Sequence, residues 1–259
     1  MPELPEIETL CRQLRPMILD EQICGFAILD SLLGNIGGLE RKKVISVMRQ
    51  GKSLVIELDT SAALVLHLRM TGRFQWHASH QELPPHTRFI MAFPRGSLLC
   101  IDPRRFATLI LQDPVRRSKP VIDPSRNYPV SALWEIAGVK KLPVKSFLMD
   151  QRIIAGVGNI YACEILHGAL INPWRQTCSI SKQEWRRIAT VMRDILNRAI
   201  ACRGTSVSDW RDLFGNKGEY QHELKVYRRE GSSCTRCYGR IQRLRLSGRG
   251  TYFCPTCQV

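Results

Sequence analysis

Along the first twenty residues the apolar positions Ile7, Leu10, Cys11, Leu14 and Ile18 recur three and four apart. That spacing predicts an amphipathic helix running on from Glu6, with Pro16 bending or ending it. The pattern then changes to short β-branched and apolar runs broken by Gly and Pro. Strands are expected over 23–29, 44–49, 53–58, 63–70, 88–93, 98–102 and 106–111, and many short strands of this kind make a sandwich or barrel. Charged residues and prolines fill 112–129 and predict a linker. From Val130 to Ala201 the period is helical again. The expected organisation is an N-terminal helix and β-sandwich over 1–114, a linker over 115–128, a helical domain over 129–222 and a small C-terminal module over 223–259. The fold class is α+β and multidomain.

Cysteine spacing defines that last module. Cys234, Cys237, Cys254 and Cys257 form C-x2-C-x16-C-x2-C, within the range of a structural zinc site. Four thiolates suit tetrahedral zinc and leave no position for substrate or water, so one structural Zn2+ is expected. The other six cysteines lie among apolar neighbours and read as core residues of a reducing compartment.

Charge narrows the partners. The 259 residues contain 38 Lys and Arg against 23 Asp and Glu, a net +15. This balance points to a polyanion, since Lys and Arg that neutralise phosphates release condensed counterions. Membrane is not expected, because no apolar run approaches the ~20 residues a spanning helix needs and the first residues are acidic. In "GVGN", residues 156–159, Gly156 and Gly158 permit a tight turn whose amides, with Asn159, meet a phosphate at a helix start. The same four residues also suit an ordinary packing turn between helices. At the other end, Pro2, Glu3 and Glu6 stand at a helix N-terminus, where proline and acids are locally favourable.

Together "PELPEIETL" at the start, "GKSLVIEL" at 51–58, "HLRMTG" at 67–72, "DPRRF" at 102–106, "DQRIIAGVGNIYACE" at 150–164 and "SGRGTYFCPTCQ" at 247–258 resemble the formamidopyrimidine-DNA glycosylase family, in family order from one end to the other. The resemblance implies a helix-two-turn-helix element in the helical domain and a four-cysteine zinc finger. It also implies a base-excision repair glycosylase with AP lyase activity, removing 8-oxoguanine and formamidopyrimidines from duplex DNA. Once Met1 is removed, the Pro2 amine would attack the sugar, and the resulting iminium would be the electron sink for β- and δ-elimination. An α-amino group titrates near ~8, so a useful fraction is neutral at cellular pH. Glu3 would move protons at the sugar, and Glu6 would orient the amine or the base.

The implied catalytic set is Pro2, Glu3, Glu6, Lys52 and Arg249. The implied DNA contacts are His67, Met70, Arg104, Phe106, Lys145, Asn159 and Tyr227, with Lys52 and Arg249 also on phosphate-binding positions. Met70 would replace a flipped nucleotide, Arg104 would meet the orphaned base and Phe106 would wedge the next step. Without the resemblance, Met70 and Phe106 read as core residues and Lys52 as a solvated hairpin lysine. The stretch 215–227 resembles the flexible loop that in the family closes over 8-oxoguanine. Two positions depart from the pattern, Arg228 where glycine is common and Ser146 where proline is common. An endonuclease VIII-like enzyme for oxidised pyrimidines, or an inactive binder of damaged duplex, are the alternatives. A bacterial, cytoplasmic, nucleoid-associated monomer is expected.

Overall fold

The computed structural model describes residues 1–78, 82–113, 122–126 and 128–259. It divides into two compact units, Met1–Ser118 with Cys202–Gln221, and Lys119–Ala201 with His222–Val259.

In the first unit α1 spans Leu4–Ile18 and buries Ile7, Leu10, Cys11, Leu14 and Ile18, the stripe its period demands. Pro5 is tolerated in the first turn, where an N–H has no helical partner. Pro16 sits in the last turn, and the helix continues two residues past it before Leu19 turns extended. Arg15 straps α1 to the sheet, donating to the Val47 carbonyl at 3.1 and 2.8 Å.

Eight strands follow: β1 Gly25–Ile28, β2 Val44–Gln50, β3 Ser53–Leu58, β4 Ala63–His67, β5 Arg73–His77, β6 Thr87–Phe93, β7 Gly96–Ile101 and β8 Thr108–Gln112. They form two antiparallel four-stranded sheets, ordered β1-β6-β7-β5 and β2-β3-β4-β8. The buried face of α1 and residues from both sheets, among them Ile56, Leu64, Phe74, Phe89 and Leu98, share one core.

Three strand expectations change. Strand β5 stands outside the expected set, because "RFQWH" offers only two apolar residues in alternation; pairing with β7 and a Trp76 N–H bond to the Leu213 carbonyl at 2.9 Å complete it. The strand expected over 63–70 stops at His67, since Arg69 adopts φ +53° and the Gly72 N–H returns to Leu68. The strand expected over 106–111 begins at Thr108, because the Asp102 carboxylate takes the N–H groups of Phe106 and Ala107, both at 2.7 Å. Residues 202–221, grouped by sequence with the helical domain, pack in the first unit, where Trp210 and Leu213 enter the core.

The second unit contains α2 Val130–Gly138, α3 Val144–Leu148, α4 Asn159–Ala169, α5 Lys182–Ala201, and a hairpin of β9 Gln242–Leu246 and β10 Arg249–Phe253. Helices α4 and α5 approach closely at Gly168, where a Cβ would stand 2.6 Å from Val191 Cγ1. Trp185 of α5 packs edge-on against Phe147 of α3, with ring centroids 5.3 Å apart. Most of the expected linker, 115–121 and residue 127, lies outside the described residues; Ile122 is held by bonds with Ile153 and Ala155. No helix among the described residues is long and apolar enough to cross a membrane.

Candidate active site and nucleic-acid interface

Pro2, Glu3 and Glu6 are all buried at the start of α1. Glu6 Oε2 accepts the Glu3 backbone N–H at 2.8 Å, and Oε1 accepts the Thr205 N–H at 2.7 Å. One carboxylate therefore fixes the residue next to Pro2 and ties it to a segment two hundred residues later. Gly204, at φ +81°, leaves the space for this: a Cβ there would stand 2.6 Å from Glu6 Oε1. Pro2 itself is acylated by Met1, so its nitrogen is an amide here and becomes a nucleophilic amine only when Met1 is removed.

The β2–β3 hairpin carries Lys52. Gln50 pairs with Ser53, leaving Gly51 and Lys52 as the turn, and Gly51 takes the φ of +60° such turns require. Arg49 donates to Glu8 of α1 at 3.3 Å and to the Gly51 carbonyl at 3.1 Å, so α1 and this turn are held together. Lys52 is buried, 8 % exposed, which replaces the solvated lysine that the isolated sequence permits. At the end of β4, His67 Nδ1 accepts the Arg69 N–H at 3.0 Å, which places the proton of the neutral ring on Nε2. Burial, then the charges of Arg69 and Lys52, push the imidazole pKa down to about 4.

Met70 and Phe106 are 53 % and 47 % exposed, where a core role would bury them. The buried Asp102 holds both of their turns: it accepts the Thr71 hydroxyl at 2.6 Å and the N–H groups of Arg104, Phe106 and Ala107 at 3.2, 2.7 and 2.7 Å. Burial alone would raise this carboxyl, but those donors hold it below the usual carboxylate range. The Arg104 guanidinium lies 4.7 Å from the Phe106 ring centroid, and Arg105, at φ +58°, is bound by Asp30. Asp30 also accepts Arg88 Nε at 2.6 Å. Sequence reasoning missed this support; an aspartate in a loop carries no pattern that distinguishes it.

In the second unit Lys145, 1 % exposed, donates from Nζ to Asn159 Oδ1 at 2.6 Å, Thr251 Oγ1 at 2.8 Å and the Gly250 carbonyl at 3.4 Å. Asn159, first residue of α4, donates from Nδ2 to the Gly250 carbonyl at 3.0 Å. The turn before α4 uses Gly156 at φ +93°, whereas Gly158 is extended and needs no glycine freedom. Arg249 is exposed at the turn of the β9–β10 hairpin, and Ser247 in that turn meets the hydroxyl of Ser146 at 3.1 Å. The departure at Ser146 thus attaches α3 to the hairpin tip. The departure at Arg228 stands at φ +58°, a backbone region costing most non-glycine residues about 1 kcal/mol.

Tyr227 packs on Tyr252 with centroids 4.9 Å apart. The buried Glu164 of α4 accepts the N–H groups of Lys225, Val226 and Tyr227 at 2.8, 3.0 and 2.8 Å and fixes the chain entering the cysteine module. Within that module the sulfurs of Cys234, Cys237, Cys254 and Cys257 all lie within 4.8 Å of one another. The Cys234–Cys257 and Cys237–Cys254 separations are 3.9 and 3.5 Å. Tetrahedral thiolates at ~2.3 Å from zinc stand about 3.8 Å apart, so the four fit one structural zinc. His167 of α4, unremarked in the sequence, reaches the Cys234 sulfur at 3.5 Å, the kind of outer partner that orients a metal ligand.

The stretch 215–227, expected as a flexible loop, begins in a bonded turn. Asp212 Oδ1 accepts the N–H groups of Phe214 and Asn216 at 3.0 and 2.8 Å, and the Glu219 N–H bonds to the Cys202 carbonyl at 2.7 Å.

Three family models match the chain: the formamidopyrimidine-DNA glycosylase N-terminal domain over residues 1–109, the formamidopyrimidine-DNA glycosylase H2TH domain over 122–210, and a zinc finger found in FPG and IleRS over 231–259. Formamidopyrimidine-DNA glycosylase of Desulfitobacterium hafniense is 37 % identical, with all of both chains covered. That of Thermus thermophilus is also 37 % identical, covering 100 % of this chain and 98 % of its own. Among solved structures, MutM (FPG) of Thermus thermophilus superposes with a TM-score of 0.89 at 36 % identity, covering 99 % of this chain and 98 % of its own. A Lactococcus lactis FPG variant in complex with a Fapy-dG-containing DNA gives 0.89 at 29 %, covering 99 % of each chain.

Proposed function

The chain belongs to the formamidopyrimidine-DNA glycosylase family, and we propose that it is a base-excision repair enzyme that removes oxidised purines, 8-oxoguanine and formamidopyrimidines, from duplex DNA and then cleaves the strand as an AP lyase. Relatives of that name align over 98–100 % of their own length, and structural neighbours include complexes with Fapy-dG-containing and carbocyclic 8-oxo-G-containing DNA.

The observation that carries the mechanism is the Glu6 carboxylate closing on the Glu3 N–H beside Pro2. With Met1 removed, the Pro2 nitrogen attacks the anomeric carbon, and the base leaves with the electrons of the glycosidic bond. The amine loses its proton and the ring opens, giving an iminium that draws electrons from the sugar as the phosphates are eliminated. Glu3 delivers the proton to the ring oxygen and takes one during elimination. Glu6 orients the amine, and the Lys52 ammonium offsets developing phosphate charge.

The exposed Met70, Arg104 and Phe106 occupy the void left by the flipped nucleotide, on turns made rigid by Asp102. His67, donating from Nε2, Asn159, Tyr227 and Arg249 bind backbone phosphates. Lys145, whose ammonium bonds Asn159 and Thr251, holds Asn159 and β10 and brings positive charge to the DNA-binding position the resemblance gives it. The zinc, bound by the four cysteines, supplies no chemistry and keeps the hairpin folded. The bacterial relatives support a cytoplasmic enzyme at the nucleoid, working as a monomer.

The test is single-turnover cleavage of duplexes carrying 8-oxoguanine opposite cytosine and an oxidised pyrimidine. Faster release of the purine is expected; faster release of the pyrimidine assigns the endonuclease VIII-like activity, and binding without cleavage makes the chain a damage-binding protein.

A further inference from the structure

Helix α1 presents Glu6 and Gln13, seven residues and two turns apart, on one face. Both side chains are spent on the segment 203–218. Glu6 takes the Thr205 N–H, as described above. Two turns on, Gln13 Oε1 accepts the Leu213 N–H at 3.0 Å while Nε2 donates to Asp212 Oδ2 at 2.9 Å.

The segment is also bonded within itself. Asp212, 1 % exposed, closes its own turn through Phe214 and Asn216. Gly218 lies on Gly204 so closely that a Cβ there would stand 2.3 Å from the Gly204 carbonyl oxygen. The Gly218 N–H bonds to Ser206 Oγ at 2.9 Å. Leu213 is fully buried in the core that also holds Leu10 and Leu14 of α1.

We infer that Gln13 and Asp212 form a positioning pair that braces the helix carrying the reacting amine, with segment 203–218 as the brace; this rests on the assignment of Pro2 as nucleophile. The Arg15 and Arg49 bonds hold α1 to the sheet, and Glu6 alone would tie it to segment 203–218 at one point. Gln13 and Asp212 add a second point two turns along the helix, which helps hold the Pro2 nitrogen where the sugar carbon arrives. Neither Gln13 nor Asp212 touches the reacting atoms.

The bonds have a fixed polarity. The Leu213 N–H holds Gln13 Oε1, so Nε2 must face Asp212. Gln13→Glu sets two carboxylates against each other, and Asp212→Asn sets its NH2 against those of Gln13 and of Asn216, whose Nδ2 donates to Oδ2 at 3.4 Å, and removes the charge beside Arg203. The two changes together restore one donor and one acceptor between positions 13 and 212 in reversed order and keep every backbone bond to Oδ1, while the Asn216 and Arg203 contacts of Oδ2 are lost equally in Asp212→Asn and in the double change, so the comparison of those two isolates the pair.

The experiment uses the full chain with Met1 removal verified by mass, and measures the single-turnover rate of borohydride trapping on a duplex with an abasic site at saturating protein, with Kd and Tm measured beside it. Because misplacing a reacting group by ~1 Å costs about 100-fold, each single change is expected to slow trapping by about tenfold or more with Kd within about twofold. The double change is expected to recover to within about threefold of the original rate. Singles that trap at the original rate overturn the inference, and so does a double variant that folds and binds duplex normally yet traps no faster than the singles. Should a single change fail to fold, the double decides by the same criterion. No trapping by the unaltered chain overturns the Pro2 assignment instead.

Discussion

Glu6 Oε2 stands 2.8 Å from the backbone nitrogen of Glu3, so the acid in the first helical turn also fixes the residue beside Pro2. Glu3 and Glu6 therefore separate by experiment. Glu3→Gln keeps the backbone and removes a proton carrier, and should slow single-turnover base excision by about 100-fold or more with little change in Tm. Glu6→Gln sets an NH2 against one of two backbone donors, Glu3 or Thr205, and should cost about 1–3 kcal/mol of stability as well as rate. Thermal melts beside the kinetics distinguish the two.

Zinc removal should act on one part of the chain. The apolar cluster of the C-terminal module consists largely of Cys163, Val226, Ile241 and the ligand cysteines themselves, too little to fold a hairpin without metal. Structural zinc in such modules contributes on the order of 10 kcal/mol. Chelation should abolish duplex binding and melt the hairpin while the β-sandwich unit keeps its own cooperative transition, seen in calorimetry as a step that metal removal leaves in place.

His67 should remain neutral far below the ordinary range. Its folded pKa of about 4 lies below the ~6.5 of a free imidazole. The unfolded chain takes up the proton first as pH falls, so stability is fully present above ~6.5 and declines as pH drops towards 4. Tm should fall less steeply across that window in His67→Gln than in the unaltered chain. A nitrogen NMR titration should find the Nε2–H tautomer at pH 7.

The helix period of α1, the strand runs and the C-x2-C pairs were legible in sequence because each is a local rule: burial of one helix face, alternation across a sheet, four thiolates at metal spacing. What was not legible depends on partners distant in the chain. Lys145 reads as a cation for DNA, and nothing local shows that its ammonium also meets Asn159 and Thr251, the latter more than a hundred residues away. Segment 202–221 reads as part of the helical domain because it follows α5 directly; Trp210 and Leu213 find their core in the first unit. Asp30, Asp102, Glu164 and Gln13 hold loops in place, and a single polar residue shows no period from which such a role can be read. The turns at Met70 and Phe106 broke their expected strands for the same reason.

The most direct test is where the covalent bond forms. Borohydride reduction of the enzyme on an 8-oxoguanine duplex, followed by proteolysis and mass mapping, should place the crosslink on Pro2 of a chain lacking Met1. A crosslink on Lys52 or any other lysine, or none from a chain whose Met1 is verifiably gone, would contradict the account.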